Sequence, residues 1–219
     1  MAQPRTLWAA DASLLPVDHL ILGAKDLDGG ITFVEQRVGV RAAFGGQHPG
    51  RGTHNALLSL GEQRYLEIIA LDPKQNTPPQ FPGFQKIDQP RLIGWAARCT
   101  DAAALAKRLS ESGIAVTGPV AGSRQRPDGR TLSWKVVFLQ DRSDPLLPFF
   151  IEWDRDSVHP SEDSPAGCRL ERFLAQIPDV TGVTRKVRTL GVDLPVKRGE
   201  KARLFARIAG ARGALDLTS

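Results

Sequence analysis

The apolar positions of "LPVDHLIL" read as a strand over Val17–Leu22. Beyond it, Ile31, Val34 and Val38 recur at helical spacing, with Asp26 or Asp28 placed to cap the helix and Gly39 to stop it. "VRAAFGG" is then a short strand ended by glycines, and "QHPGRG" a loop of turn formers. "THNALLSLG" and "QRYLEIIAL" predict two strands joined by a tight turn at Gly61 and Glu62. The element order is strand, helix, strand, strand, strand.

A Pro-rich connector, "DPKQNTPPQFPGFQKIDQP", separates this from a second pass through the same order. "RLIGWAARCT" is a strand, Asp101 caps the helix "AAALAKRLSESG", and "IAVTGPVAGSR", "TLSWKVVFLQ" and "LLPFFIEWD" are three further strands. "RPDGR" supplies the hairpin turn between the first two of these. The layout repeats although the residues do not, which predicts two βαβββ modules, over residues 15–73 and 90–156. A third unit, over residues 168–219, has a strand near Arg169–Ala175 and a helix near Val180–Leu190. Short strands follow around Val192–Val196, Ala202–Ile208 and Ala214–Leu217. It reads as a smaller, degenerate βαβββ-like unit. It holds no His and no glutamate within an apolar strand, so its expected role is structural, covering a sheet edge or an interface. The expected fold class is α+β, with the modules forming a curved mixed sheet around a cleft.

Both modules close on a glutamate inside an apolar run, Glu67 in "YLEIIAL" and Glu152 in "FFIEW". An ionised carboxylate buried without a partner is strongly unfavourable, or its pKa rises until it neutralises. Strand alternation puts Val17, His19 and Ile21 on one face, Tyr65, Glu67 and Ile69 on one face, and Phe150, Glu152 and Asp154 on one face. If these faces line the cleft, His19, Glu67 and Glu152 converge there. One imidazole with two carboxylates suits a divalent ion that keeps positions open for water or substrate. Such an ion would supply the charge that the glutamates lack.

Plainer readings stand beside these. His19 could be a buried histidine bonded to backbone, Glu67 could pair with Arg64 or Arg98, and Glu152 could be an ordinary edge residue. His54 and Asn55, after the flexible "PGRG", could bind substrate or finish a turn. His48 and His159 read as surface loop residues. Trp95, Trp134 and Trp153 are core or cleft wall.

Composition narrows the class. A chain of 219 residues with 41% hydrophobic and 24% charged positions fits a soluble globular protein with one ordinary domain, or a domain with an appendage. Its apolar runs fall far short of the ~20 residues of a membrane helix. The N-terminus shows no secretion signal, and Cys99 and Cys168 lie in no metal-type spacing, so a free-thiol, cytoplasmic protein is expected. The net charge of +5 comes from the C-terminal unit, with eleven Lys/Arg against five Asp/Glu from Cys168 onward. Phe173 and Phe205 are its only aromatics, which argues against nucleic acid as a partner and for a solvated basic surface.

Paired βαβββ modules with "VDHLIL" in the first strand and glutamates in the closing strands resemble the vicinal oxygen chelate superfamily of glyoxalases, extradiol dioxygenases and fosfomycin-resistance enzymes. "HPGRGTHNALLSLGEQRYLEII" is particularly similar to its glyoxalase-like domain branch. Carried over by position, the family's metal ligands fall on His19, Glu67 and Glu152. The remaining ligand position lands on Gly94, beside Trp95, and neither can bind a metal, so His54 or water would complete the shell. The resemblance implies a metal-dependent lyase or isomerase acting on a small substrate with vicinal oxygens. Zinc, nickel, manganese or iron would hold the oxygens, and Glu67 or Glu152 would shuttle the proton. A second reading is a metal-free protein that sequesters a small hydrophobic or aromatic molecule against Trp95, Phe150 and Trp153. An extradiol dioxygenase is a weaker variant, because it wants two histidines and the second-module histidine is missing. Family habit also suggests a homodimer.

Overall fold

Strand alternation and helical spacing resolve into two sheets and their helices in the computed structural model, which describes residues 14–78, 84–126, 128–141 and 146–219. The start of the chain and residues 79–83 of the Pro-rich connector lie outside the described residues. The first module comprises β1 (Val17–Gly23), α1 (Leu27–Val38), β2 (Ala43–His48), β3 (Thr53–Ser59) and β4 (Tyr65–Leu71). The second comprises β5 (Arg91–Arg98), α2 (Ala102–Glu111), β6 (Val116–Gln125), β7 (Thr131–Leu139) and β8 (Phe149–Trp153). In each module the closing strand lies parallel beside the opening one, β4 against β1 and β8 against β5. Antiparallel pairing of β1 with β5 joins them into one eight-stranded sheet, in the order β2-β3-β4-β1-β5-β8-β7-β6. The sheet curls until its outer strands, β2 and β6, come together.

Of the two aspartates placed to cap α1, Asp26 does so, accepting from the Gly29 N–H at 2.7 Å, and Gly39 ends the helix in the left-handed region at φ 81°. Asp101 caps α2 through the Ala104 N–H at 2.9 Å. The apolar stripes of both helices pack on the outer face of the sheet, where Leu20, Leu22, Leu66 and Ile68 are buried. Each such side chain contributes roughly 1.5–3 kcal/mol relative to exposure. A slip of one residue in β1 or β4 would swap these leucines and isoleucines for His19 and Glu67, so the register is strongly specified.

After α3 (Pro160–Asp163), the C-terminal unit runs β9 (Arg169–Ile177), α4 (Val180–Leu190), β10 (Val196–Arg198), β11 (Arg203–Gly210) and β12 (Gly213–Thr218). Its element order repeats the modules but its pairing does not, since β9 sits between β10 and β11. Phe173, Leu204 and Leu215 of this second sheet belong to the same core as the two helices. Phe173 meets Trp95 edge to face at 5.1 Å, and Arg108 of α2 donates to the carbonyls of Thr189 and Leu190 at the end of α4. The second sheet thus covers the helical side and leaves the concave face of the first to form the cleft. Among the described residues no helix is long and apolar enough to cross a membrane.

Candidate functional site

The cleft begins with a shift of register in β1. Val17 pairs with Ala97 but His19 with Ala96, so Asp18 is an extra residue of the kind that a β-bulge inserts. Its carboxylate is fully buried and takes three N–H donors: His19 Nδ1 at 2.7 Å, Trp153 Nε1 at 3.1 Å and His159 Nε2 at 3.1 Å. Burial alone would raise the Asp18 pKa, but the hydrogen bonds from His159 and His19 overcome it and bring it from the ordinary 3.8 to about 2. An ionised carboxylate only accepts, so His19 carries its proton on Nδ1 and His159 on Nε2. His159 Nδ1 correspondingly accepts the Ser161 backbone N–H at 3.2 Å. His19 Nε2 is left to face the cleft, 3.8 Å from Glu67 Oε2, with the Tyr65 ring stacked on the imidazole at 4.6 Å.

Glu67 rises from β4 with its side chain 12% exposed. Its partners come from β2, β3 and β6. Asn55 Nδ2 donates to Glu67 Oε1 at 2.6 Å and lies 3.2 Å from His48 Nε2, while Asn55 Oδ1 accepts from Arg124 Nη1 at 2.9 Å. Because a guanidinium only donates, Arg124 fixes which way the Asn55 amide points. The amide therefore donates toward both Glu67 and His48, so His48 Nε2 accepts and its Nδ1, 2.9 Å from Thr53 Oγ1, carries the proton. Burial lowers the His48 pKa further than Glu67 raises it, which keeps this imidazole neutral near pH 7. For Glu67, burial pushes the pKa up, and His48, His19, Asn55 and Arg124 together hold it below the ordinary 4.5. The charge of Glu67 within an apolar strand is thereby balanced by partners within the chain.

Two glycines make room for this network. A Cβ on Gly45 would stand 2.4 Å from Asn55 Oδ1 and 2.8 Å from Arg124 Nη1, inside the hydrogen bond itself. Gly46, at φ 141°, completes a second register shift between Phe44 and Gly46. The second module lines the rest of the cavity, which measures about 130 Å³, with aromatic and aliphatic side chains: Trp134, Val136, Phe138, Phe149, Ile151 and Trp153. One half of the cleft is polar and comes from the first module with Arg124, and the other half is apolar.

Of the residues singled out in the sequence, His19, Glu67, Asn55, Trp134 and Trp153 line the cleft. Glu152 does not. The cleft-facing residues of β8 are Phe149, Ile151 and Trp153, so Glu152 points to the helix side. There its Oε2 accepts the Ala102 N–H at the start of α2 at 2.7 Å, and its Oε1 lies 3.1 Å from Lys135 Nζ. Strand register gives the reason. In the first module His19 pairs with Tyr65 and Ile21 with Glu67, whereas in the second Ala96 pairs with Phe149 and Arg98 with Ile151. The position that matches Glu67 is Ile151, and Ala96 stands where His19 does. Phe150 shares the parity of Glu152 and is buried in the core, as is Trp95, whose Nε1 donates to the Leu146 carbonyl. His54 alternates out of the cleft and meets Phe44 on the opposite face of β3. Glu67 pairs with neither Arg64, which binds Glu62, nor Arg98, which donates to the Gln63 carbonyl.

His48 and His159 are not surface loop residues: one lines the cleft, and the other is buried against Asp18. The adjacent glycines at 45 and 46 signal a close backbone approach that could have pointed to His48. The carboxylate next to His19 in "VDH" could have pointed to Asp18. Nothing local marks Arg124, which lies on a strand that is mostly exposed.

A divalent ion held by His19, Glu67 and Glu152 does not fit this geometry, because Glu152 is on the other face of the sheet. His48 enters the cleft in its place, but the Asn55 amide already stands between His48 Nε2 and Glu67 Oε1 and donates to both. The Arg124 guanidinium beside them is a resident positive charge that opposes a second cation. Among the described residues no three His, Cys, Asp or Glu side chains are grouped as a metal site requires.

A family model described as a glyoxalase-like domain matches residues 17–203. No curated protein matches the sequence. Among solved structures, a hypothetical protein from Staphylococcus aureus is 16% identical and superposes with a TM-score of 0.65, covering 94% of this chain and 85% of that one. Methylmalonyl-CoA epimerase from Mycobacterium tuberculosis is 17% identical with a TM-score of 0.48, over 67% of this chain and 92% of that one. A hypothetical protein from Bacillus halodurans C-125 is 16% identical with a TM-score of 0.49, over 65% and 96%. At this identity the likeness to the first of these speaks for the fold alone.

Proposed function

Since the chain belongs to the glyoxalase-like domain family, with the paired modules of the vicinal oxygen chelate superfamily, we propose that it is a lyase or isomerase that moves a proton on a small substrate bearing adjacent oxygens. One relationship carries this above all. Glu67 Oε2 and His19 Nε2 face each other at 3.8 Å, each held by a separate buried partner, Asn55 for one and Asp18 for the other. Two oriented acid–base groups on the polar side of a cavity whose other wall is apolar are what proton transfer at carbon requires.

Glu67 is ionised at neutral pH and takes the proton from the carbon beside the carbonyl. The C–H electron pair moves toward the carbonyl oxygen, where the enolate charge is met by the Arg124 side of the cleft. Glu67 then returns the proton to the neighbouring carbon, or the intermediate expels a leaving group. His19, its Nδ1 occupied by Asp18, works through Nε2 and handles the proton of the substrate hydroxyl. All of these roles fall to side chains of the protein itself.

A sequestering protein on the same cleft is the second reading, favoured by Val136, Phe138, Phe149 and Ile151, which make the wall formed by β7 and β8 apolar. Solvent exchange separates the two. In D₂O, a panel of α-hydroxy carbonyl and dicarbonyl compounds followed by proton NMR should show exchange at carbon with the wild type and none with Glu67→Gln. Equal exchange in both proteins, or none in either, would overturn the enzyme reading.

A further inference from the structure

We infer that the cleft selects a ring-sized organic anion: a single flat ring seated against the second module, with a carboxylate or comparable anionic head held by Arg51. The inference rests on the cleft being the working site, and three observations carry it.

The first is size. A cavity of about 130 Å³ is close to the roughly 150 Å³ apolar cavity that takes up benzene in an engineered protein. A space of that size accommodates one ring. The second is the shape of the apolar half. Trp134 and Trp153 meet edge to face at 5.6 Å, and Phe138 and Phe149 pack at 5.5 Å, so the wall presents ring faces and edges to whatever enters.

The third is charge. Besides His19 and Tyr65, whose hydroxyl burial keeps protonated, four chargeable side chains line the cavity: Glu67, His48, Arg124 and Arg51. Arg124 and Glu67 belong to one network through Asn55 and offset each other. His48 accepts from the same amide and is neutral. Asp18 lies behind His19 and is saturated by three N–H donors. Arg51 is left as the surplus cation, with no carboxylate or hydrogen-bond partner for its side chain among the described residues. Its place is built. The backbone N–H bonds the His48 carbonyl at 3.0 Å, and the residue stands between Gly50 and Gly52, both in the left-handed region at φ 70° and 67°. This turn holds the Arg51 backbone on the loop that ends β2 while its side chain lines the cavity. A guanidinium there recognises an anionic head, and charge-assisted contacts of this kind are about twice as strong as neutral ones.

The experiment titrates the full-length protein with benzoate, its neutral isostere benzamide, and acetate, which has the head without the ring. Calorimetry reads affinity, and quenching of tryptophan fluorescence reports entry beside Trp134 and Trp153. Benzoate is expected to bind about tenfold tighter than either control. Arg51→Gln, on a half-buried turn, should remove that advantage and leave benzamide binding unchanged, and Arg51→Lys should restore part of it. Benzamide binding as tightly as benzoate, equal losses for both in Arg51→Gln, or no binding of any probe to the wild type would each overturn the inference. Benzoate binding through Arg51 without any solvent exchange in the substrate panel keeps the ligand class and removes the proton-transfer function. Exchange confined to neutral substrates does the reverse.

Discussion

The indole N–H of Trp153 donates to the carboxylate of Asp18 at 3.1 Å, across 135 positions of sequence. The same carboxylate holds His19. The aromatic wall of the second module and the polar edge of the first are therefore one hydrogen-bonded unit, and what disturbs Asp18 disturbs both.

Asp18→Asn should destabilise the fold by about 2–4 kcal/mol at pH 7, since a buried acceptor of three N–H groups is replaced by an amide that presents hydrogens to some of them. The wild type carries a pH signature here. With the folded pKa of Asp18 lowered from 3.8 to about 2, its contribution of about 2 kcal/mol is complete above pH 3.8 and is lost as pH falls toward 2. Urea unfolding between pH 2 and 5 should show this slope in the wild type and a flatter one in the variant. Identical slopes would remove Asp18 from that role.

Glu67, like Asp18, is held ionised to low pH by its partners. Its pKa lies below the ordinary 4.5, so the acid limb of kcat/KM should fall below the usual carboxylate range. Asn55→Ala removes one of the groups that holds the pKa down, and the limb should move to higher pH. A limb unmoved by that change would mean another group titrates.

Gly45→Ala tests the Arg124–Asn55 contact without touching either residue. The added methyl would stand 2.4 Å from Asn55 Oδ1, and the strain should cost about 1–3 kcal/mol and weaken ligand binding. Gly182→Ala is the contrast. This glycine lies within α4 with nothing inside 4 Å of the added Cβ, and thermal unfolding should show a gain of roughly 0.5–1 kcal/mol.

Glu152→Ala should lower stability by about 1 kcal/mol through loss of the bond to the Ala102 N–H, and leave ligand binding and solvent exchange intact. Loss of turnover with stability unchanged would return Glu152 to the chemistry.

By itself the sequence determined the local elements, because their causes are local. Helical spacing over Ile31, Val34 and Val38, the caps Asp26 and Asp101, and the stop at Gly39 act within a turn or two of chain. The repeated element order carried the paired modules and the curved sheet, and alternation in "VDHLIL" and "YLEIIAL" groups His19 and Glu67 with the residues that line the cleft. What only the tertiary structure decided is the set of partners. Glu67 and Glu152 look alike in sequence, yet β8 meets β5 in a register that turns Ile151 into the cleft and Glu152 onto α2. Asp18 gains its role from a register shift and from His159, and Arg124 reaches Asn55 only because the sheet curls until its outer strands meet. Periodicity says which residues share a face of a strand. Which face looks into the cleft, and what stands opposite, depends on interstrand register and sheet curvature, and those are set by the packing of side chains far apart in the chain.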